Sequence, residues 1–155
     1  MGEEIERKWL ISEAPKNLHN FPSLRIDQEY FEVLKPDKEE IRIRAEGERY
    51  FLVIKKGCGV QREESDVEIS LKTYNHLFSP SNHRVEKIRY KLPDGKFTIE
   101  LDVYRGNLEG LVTAEVEFGS IEEERSYHPP DWFGQEVSYD ERYKNKNLAK
   151  NGIPK

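Results

Sequence analysis

With Cys58 as its single cysteine, the chain can form no internal disulfide, and a reducing compartment, the cytoplasm, is the expected setting. No apolar run near the N-terminus resembles a signal peptide and none approaches a membrane span, so no membrane partner is expected. Histidine is scarce: His19, His76, His83 and His128 fall outside the predicted strands and lack metal-ligand spacing. With one thiol beside them, a zinc centre is not expected. There is no Gly-x-x-x-x-Gly-Lys phosphate loop, and Lys56-Gly57-Cys58-Gly59 reads as a hairpin turn. Positive charge is not in excess: 25 Lys and Arg against 30 Asp and Glu leave a net charge of -5, which argues against nucleic acid or anionic lipid as a partner. Linkers, internal repeats and low-complexity tracts are absent too.

What remains is a chain of 155 residues, the size of one domain spanning 1–155, in which charged residues are as common as hydrophobic ones at 35% each. So much charge has to be accommodated by the fold. Most of it lies in segments that alternate polar and apolar side chains, the two-residue period of a β-strand. Strands are predicted over 4–10, 24–33, 39–45, 50–56, 62–69, 85–92, 97–104 and 111–118, with turns at Lys35-Pro36-Asp37-Lys38 and Pro93-Asp94-Gly95. A helical turn capped by Ser70 is expected before Phe78, a capped helix after Gly119-Ser120, and a short helix near Lys144–Lys150 in an otherwise irregular tail. Eight strands in close succession with few helices predict a mainly β fold, an antiparallel barrel or sandwich.

Within the strands the polar parity carries like-signed pairs: Glu4 with Glu6, Arg42 with Arg44, Glu64 with Asp66, Lys87 with Arg89, Glu100 with Asp102, and Glu115 with Glu117. The opposite parity is mostly apolar, as in Ile99, Leu101 and Val103. A half-exposed sheet with its charged face in water produces the same alternation. However, like charges two apart on one face disfavour each other without a partner, and solvated faces usually mix in Ser, Thr and Gln. Arg42, Arg44 and Arg62 carry a planar fork suited to phosphate oxygens. If the apolar parity is covered from outside, the charged parity lines a barrel. A lining of carboxylates and cations suits a polyanion bound with a hard divalent metal, Mg²⁺ or Mn²⁺.

On these residues the chain resembles the CYTH superfamily, also called triphosphate tunnel metalloenzymes. Glu4-Ile5-Glu6-Arg7-Lys8 matches the Glu-x-Glu-x-Lys signature at its N-terminal place. Arg42-Ile43-Arg44, Val53-Ile54-Lys55, Arg62-Glu63-Glu64 and 84–90 are similar to the strands that follow it. Glu100-Leu101-Asp102-Val103-Tyr104 and Glu115-Val116-Glu117-Phe118 resemble the acidic strands, and the tail from Trp132-Phe133-Gly134 through Asn145 resembles that of short bacterial members. The likeness runs over almost the whole chain.

The resemblance implies an eight-stranded antiparallel tunnel with helices packed outside, and metal-dependent phosphoryl chemistry on a triphosphate. Carried over residue by residue, it implies metal binding by Glu4, Glu6, Asp102, Glu115 and Glu117. Phosphate binding falls to Lys8, Arg42, Arg44, Lys55, Arg62, Lys87 and Arg89. Catalytic work falls to Lys8, Lys87 and Glu64, the last as a further ligand or the group that orients water. Choosing Lys55 over Lys56 follows the family pattern. Asp66, where relatives commonly carry Glu, is left out of the metal set. Hydrolysis of inorganic triphosphate is the expected activity, with nucleoside triphosphates as a secondary substrate. Thiamine triphosphatase and class IV adenylate cyclase activities stay open, as does a catalytically inactive polyphosphate or nucleotide sensor. An ordinary small-ligand barrel would need an apolar lining. Oligomeric state is not readable from the residues.

Overall fold

The alternating segments close on themselves. In the computed structural model, which describes residues 2–36, 38–58 and 60–155, eight strands form one barrel. They are β1 (Gly2–Leu10), β2 (Ser23–Tyr30), β3 (Glu39–Glu46), β4 (Arg49–Cys58), β5 (Gln61–Ile69), β6 (His83–Asp94), β7 (Phe97–Tyr104) and β8 (Val112–Glu117). Their order around the wall is β1-β5-β4-β3-β2-β6-β7-β8, every pair antiparallel. β1 performs the closure, with Glu4 opposite Arg62 on β5, and Glu6 and Lys8 opposite Glu117 and Glu115 on β8. Two hairpins turn on a glycine at the first position of a two-residue loop, Gly47 (φ 60°) and Gly95 (φ 59°). That backbone matches the right-handed strand twist and is strained for any residue with a Cβ.

The apolar parity faces outward; it is covered over β1, β7 and β8, while Ile54 on β4 and Val67 on β5 stay exposed. Ile5, Trp9, Ile99, Leu101, Ala114 and Val116 are buried beneath Tyr127, with Trp132 and Phe133 of the tail packed against them. Helix α1 (Leu71–Leu77) begins at Ser70, whose Oγ accepts from Thr73 N–H at 3.1 Å. In α2 (Ile121–Ser126) Ser120 Oγ accepts from Glu123 N–H while Glu123 Oε1 accepts from Gly119 N–H, a reciprocal cap. Helix α3 (Asn145–Asn151) lies at one end of the barrel. There Leu148 joins Tyr30, Val85 and Tyr104, which share the inward parity of their strands, in a second apolar cluster. That end of the bore is therefore stoppered by hydrophobic contact.

Some boundaries depart from the sequence expectation. β2 stops at Tyr30, where its ladder with β3 ends opposite Arg42, so Phe31 to Val33 are not strand. β4 runs on through Lys56 to Cys58, and β6 extends at both ends. Tyr30 pairs with His83, which makes this histidine a strand residue after all. Pro93 is tolerated inside β6 because β2 begins at Ser23, opposite Tyr90, leaving no ladder on that side for the missing N–H to serve. The Lys35–Lys38 turn is closed by Lys38 N–H donating to Lys35 O at 2.9 Å; Asp37 within it and Gly59 of the next turn lie outside the described residues. No described helix is long and apolar enough to cross a membrane.

Candidate active site

Because strand parity puts the ionic pairs inward, the bore becomes a cavity of about 270 Å³ walled by charge. Every residue assigned to the site from the sequence lines it except Asp102. Lys55 is buried in the wall and lines the bore, whereas Lys56 is exposed.

The cations and carboxylates interleave. Lys55 Nζ donates to Glu4 Oε1 at 3.0 Å and lies 3.3 Å from Glu64 Oε2. Arg62 Nη2 donates to Glu6 Oε1 at 3.2 Å and sits 3.4 Å from Glu4 Oε1. Arg44 bridges Glu46 (3.1 Å) and Asp66 (3.2 Å), and Arg42 Nη1 donates to Glu40 Oε2 at 3.3 Å. Lys8 Nζ donates to the Tyr143 carbonyl at 2.6 Å, tying the signature lysine to the segment that leads into α3. Arg7, of opposite parity, points outward and forms a two-pronged contact with Glu136.

Asp102 is fully buried behind this lining. Arg89 Nε and Nη2 donate to its two oxygens at 2.7 and 2.8 Å, and Lys87 Nζ lies 2.8 Å from Oδ2. Burial alone would raise its carboxyl, but Arg89 and Lys87 outweigh that and hold it below the usual range. Glu115 is likewise lowered, its desolvation overcome by Lys8, Arg89 and Lys87. The opposite holds for Glu6, pushed well up by burial and then by Glu115 and Glu4, and for Glu117, raised by partial burial and by Glu4, Glu100 and Glu64. Among the described residues Glu117 is the one lining carboxylate with no cation within 4 Å. Directly opposite Glu6, it marks where negative charge in the bore lacks compensation.

No protein-family model matches the chain. It is similar to the inorganic triphosphatase of Nitrosomonas europaea, 42% identical over 150 residues that cover 94% of this chain and 96% of the relative. That relationship decides the family. The chain belongs to the inorganic triphosphatase family, within the CYTH superfamily. A second inorganic triphosphatase, from Acetivibrio thermocellus, is 36% identical over 156 residues, 97% of this chain and 96% of the relative. A crystal structure of an inorganic triphosphatase superposes with a TM-score of 0.70 at 38% identity, covering 100% of this chain and 99% of that one.

The barrel also draws in residues that the pattern of charge pairs does not include. Glu40 shares the parity of Arg42 and was legible from it. Tyr143, Lys144 and Asn145 enter the lining from the tail, and Asn145 Oδ1 accepts from Tyr104 Oη at 2.6 Å. Nothing in a strand pattern signals them.

Lys87, 1% exposed, is pushed down to about 8 by desolvation, against the pull of Asp102. Between about 8 and the ordinary lysine range the unfolded chain binds more protons at this residue than the folded one, so stability rises with pH there. The gain is on the order of 3 kcal/mol. In thermal melts from pH 7 to 11 without ligand, the parent should gain stability relative to Lys87→Met across that window; parallel profiles would refute the shift.

Proposed function

We propose that this protein hydrolyses inorganic triphosphate to diphosphate and phosphate with the help of Mg²⁺ or Mn²⁺. The observation that carries the reading is the lining: seven inward cations on the strands, Lys8, Arg42, Arg44, Lys55, Arg62, Lys87 and Arg89, with Lys144 from the tail, around a small bore whose described lining is almost wholly polar, Ile26 and Val137 being its apolar members. Two relatives across nearly the whole chain are named inorganic triphosphatase, which supports the same substrate. Arg42, Arg44 and Arg62 offer planar forks to phosphate oxygens, and the lysines supply point charges. Together they neutralise charge that grows on the phosphoryl oxygens in the transition state.

The donor set fits a hard divalent ion. Among the described residues no three acidic, histidine or cysteine side chains converge as a ready-made cage. Mg²⁺ commonly keeps waters and takes substrate oxygens to complete its shell, so one or two protein carboxylates suffice. Glu117 and Glu6 are the best placed, with Glu4 and Glu115 beside them. When bound, the metal supplies charge neutralisation on the phosphates. Asp102, with both oxygens occupied, is better read as the anchor that aims Lys87 and Arg89 at the bore. Glu64 is held by Lys55 as a further ligand in reserve.

Phosphate release from triphosphate, ATP and thiamine triphosphate, each with and without Mg²⁺ or Mn²⁺, tests the reading. The expected result is metal-dependent release that is fastest with inorganic triphosphate and slower with ATP. Preference for thiamine triphosphate, formation of a cyclic nucleotide, or binding without turnover would each overturn it.

A further inference from the structure

Among the described residues β2 is the one strand whose inward positions carry no charge: Ile26, Gln28 and Tyr30 face a bore that is ionic on every other strand. Gln28 is 3% exposed and lines the cavity, between Arg44 on β3 and Val85 on β6. Its Oε1 is buried with no hydrogen-bond partner. A buried acceptor left unpaired beside a polar cavity calls for a donor. Arg44, opposite it on β3, also has an unpaired Nε, but its guanidinium is held by Glu46 and Asp66. Ionised phosphate oxygens are acceptors only, so they cannot be that donor; a water in the bore, met by a turn of the terminal amide, can.

We infer that Gln28 positions the attacking water for triphosphate hydrolysis, its Oε1 accepting a hydrogen bond from the water while its amide N–H donates to a phosphoryl oxygen. This rests on the triphosphatase reading above. A neutral amide is suited to the role because it turns a water lone pair towards phosphorus without adding negative charge against a polyanion. Every lining carboxylate except Glu117 already holds a cation. In the step, the water oxygen bonds to the terminal phosphorus and the bridging P–O bond breaks with its electron pair going to the leaving diphosphate. The proton held by Gln28 stays on the incoming oxygen, giving hydrogen phosphate. The other water proton passes to an oxygen of the diphosphate. The amide itself is not protonated.

The test compares Gln28→Leu and Gln28→Glu with the parent at saturating Mg²⁺, by steady-state kinetics on triphosphate and by calorimetric binding of the non-hydrolysable imidotriphosphate. For Gln28→Leu, kcat is expected to fall about 100-fold, with KM and imidotriphosphate affinity within about twofold of the parent. Gln28→Glu keeps an acceptor but adds a charge, so its kcat should exceed that of Gln28→Leu by about tenfold while KM rises. Should Gln28→Leu fail to fold, Gln28→Met, which keeps the side-chain length, takes its place with the same expectation. A raised KM with unchanged kcat, no change in either, or a Gln28→Glu variant no faster than Gln28→Leu would overturn the inference. A parent inert towards triphosphate would remove both readings, whereas an active parent indifferent to Gln28 removes this one alone.

Discussion

Glu117→Gln is expected to reduce metal-dependent triphosphate turnover by on the order of 10³-fold while leaving the melting temperature of the metal-free protein at or slightly above that of the parent. The first half follows from its position: it faces Glu6 across the β1–β8 ladder, lines the bore, and has no cation of its own among the described residues. A carboxylate so placed is free to accept a metal, and loss of several kcal/mol of charge stabilisation corresponds to the stated factor. The second half follows because no folded-state ion pair is broken, the side chain sits at an exposed end of β8, and the change removes a charge that partial burial and Glu4, Glu100 and Glu64 disfavour. Phosphate release at saturating Mg²⁺, alongside a thermal melt, checks both. Turnover within tenfold of the parent would move the metal elsewhere in the bore.

The opposite pattern is expected of Asp102→Ala: a large loss of stability even without metal or substrate. Its carboxylate is the shared partner of Arg89 and Lys87 at 2.7 to 2.8 Å, with no exposure. Removing it leaves two buried cations facing each other. Breaking a buried pair from one side typically costs about 3–5 kcal/mol. For a chain of this length that is a fall of roughly 10 °C in melting temperature. Denaturant unfolding of the metal-free protein measures it. An unchanged midpoint would show that Asp102 does not anchor the cations, and would return it to the role of a simple metal ligand.

These two residues also show what a sequence can and cannot say about a lining. Asp102 and Glu117 carry the same sign at the same parity of neighbouring strands, and the family pattern assigns both to metal. Parity gives the face a side chain points to, but not its depth or its neighbours. Register supplies the rest: Asp102 falls beside Arg89 on β6, whereas Glu117 falls opposite another glutamate. Lys55 and Lys56 pose the same problem, settled once the β4 ladder is in place. Gln28 carries no charge, and an amide in an ionic bore looks ordinary until its unpaired oxygen is seen. The tail residues Tyr143, Lys144 and Asn145 belong to the cavity only because the chain returns across the barrel end.

By itself the sequence determined the strands, the division of each into a charged and an apolar face, and the ionic character of the site. These are local properties: a two-residue period assigns each side chain to a face regardless of what lies opposite, and Ser70 and Ser120 cap helices through bonds only three residues long. Only the tertiary structure decided that the charged face is enclosed, which carboxylate is left without a cation, and that α3 stoppers one end. Those depend on β1 finding both β5 and β8, and on Leu148 reaching Tyr30, Val85 and Tyr104 from the far end of the chain. Contacts between residues distant along the chain arise from closure and packing, which no local pattern encodes.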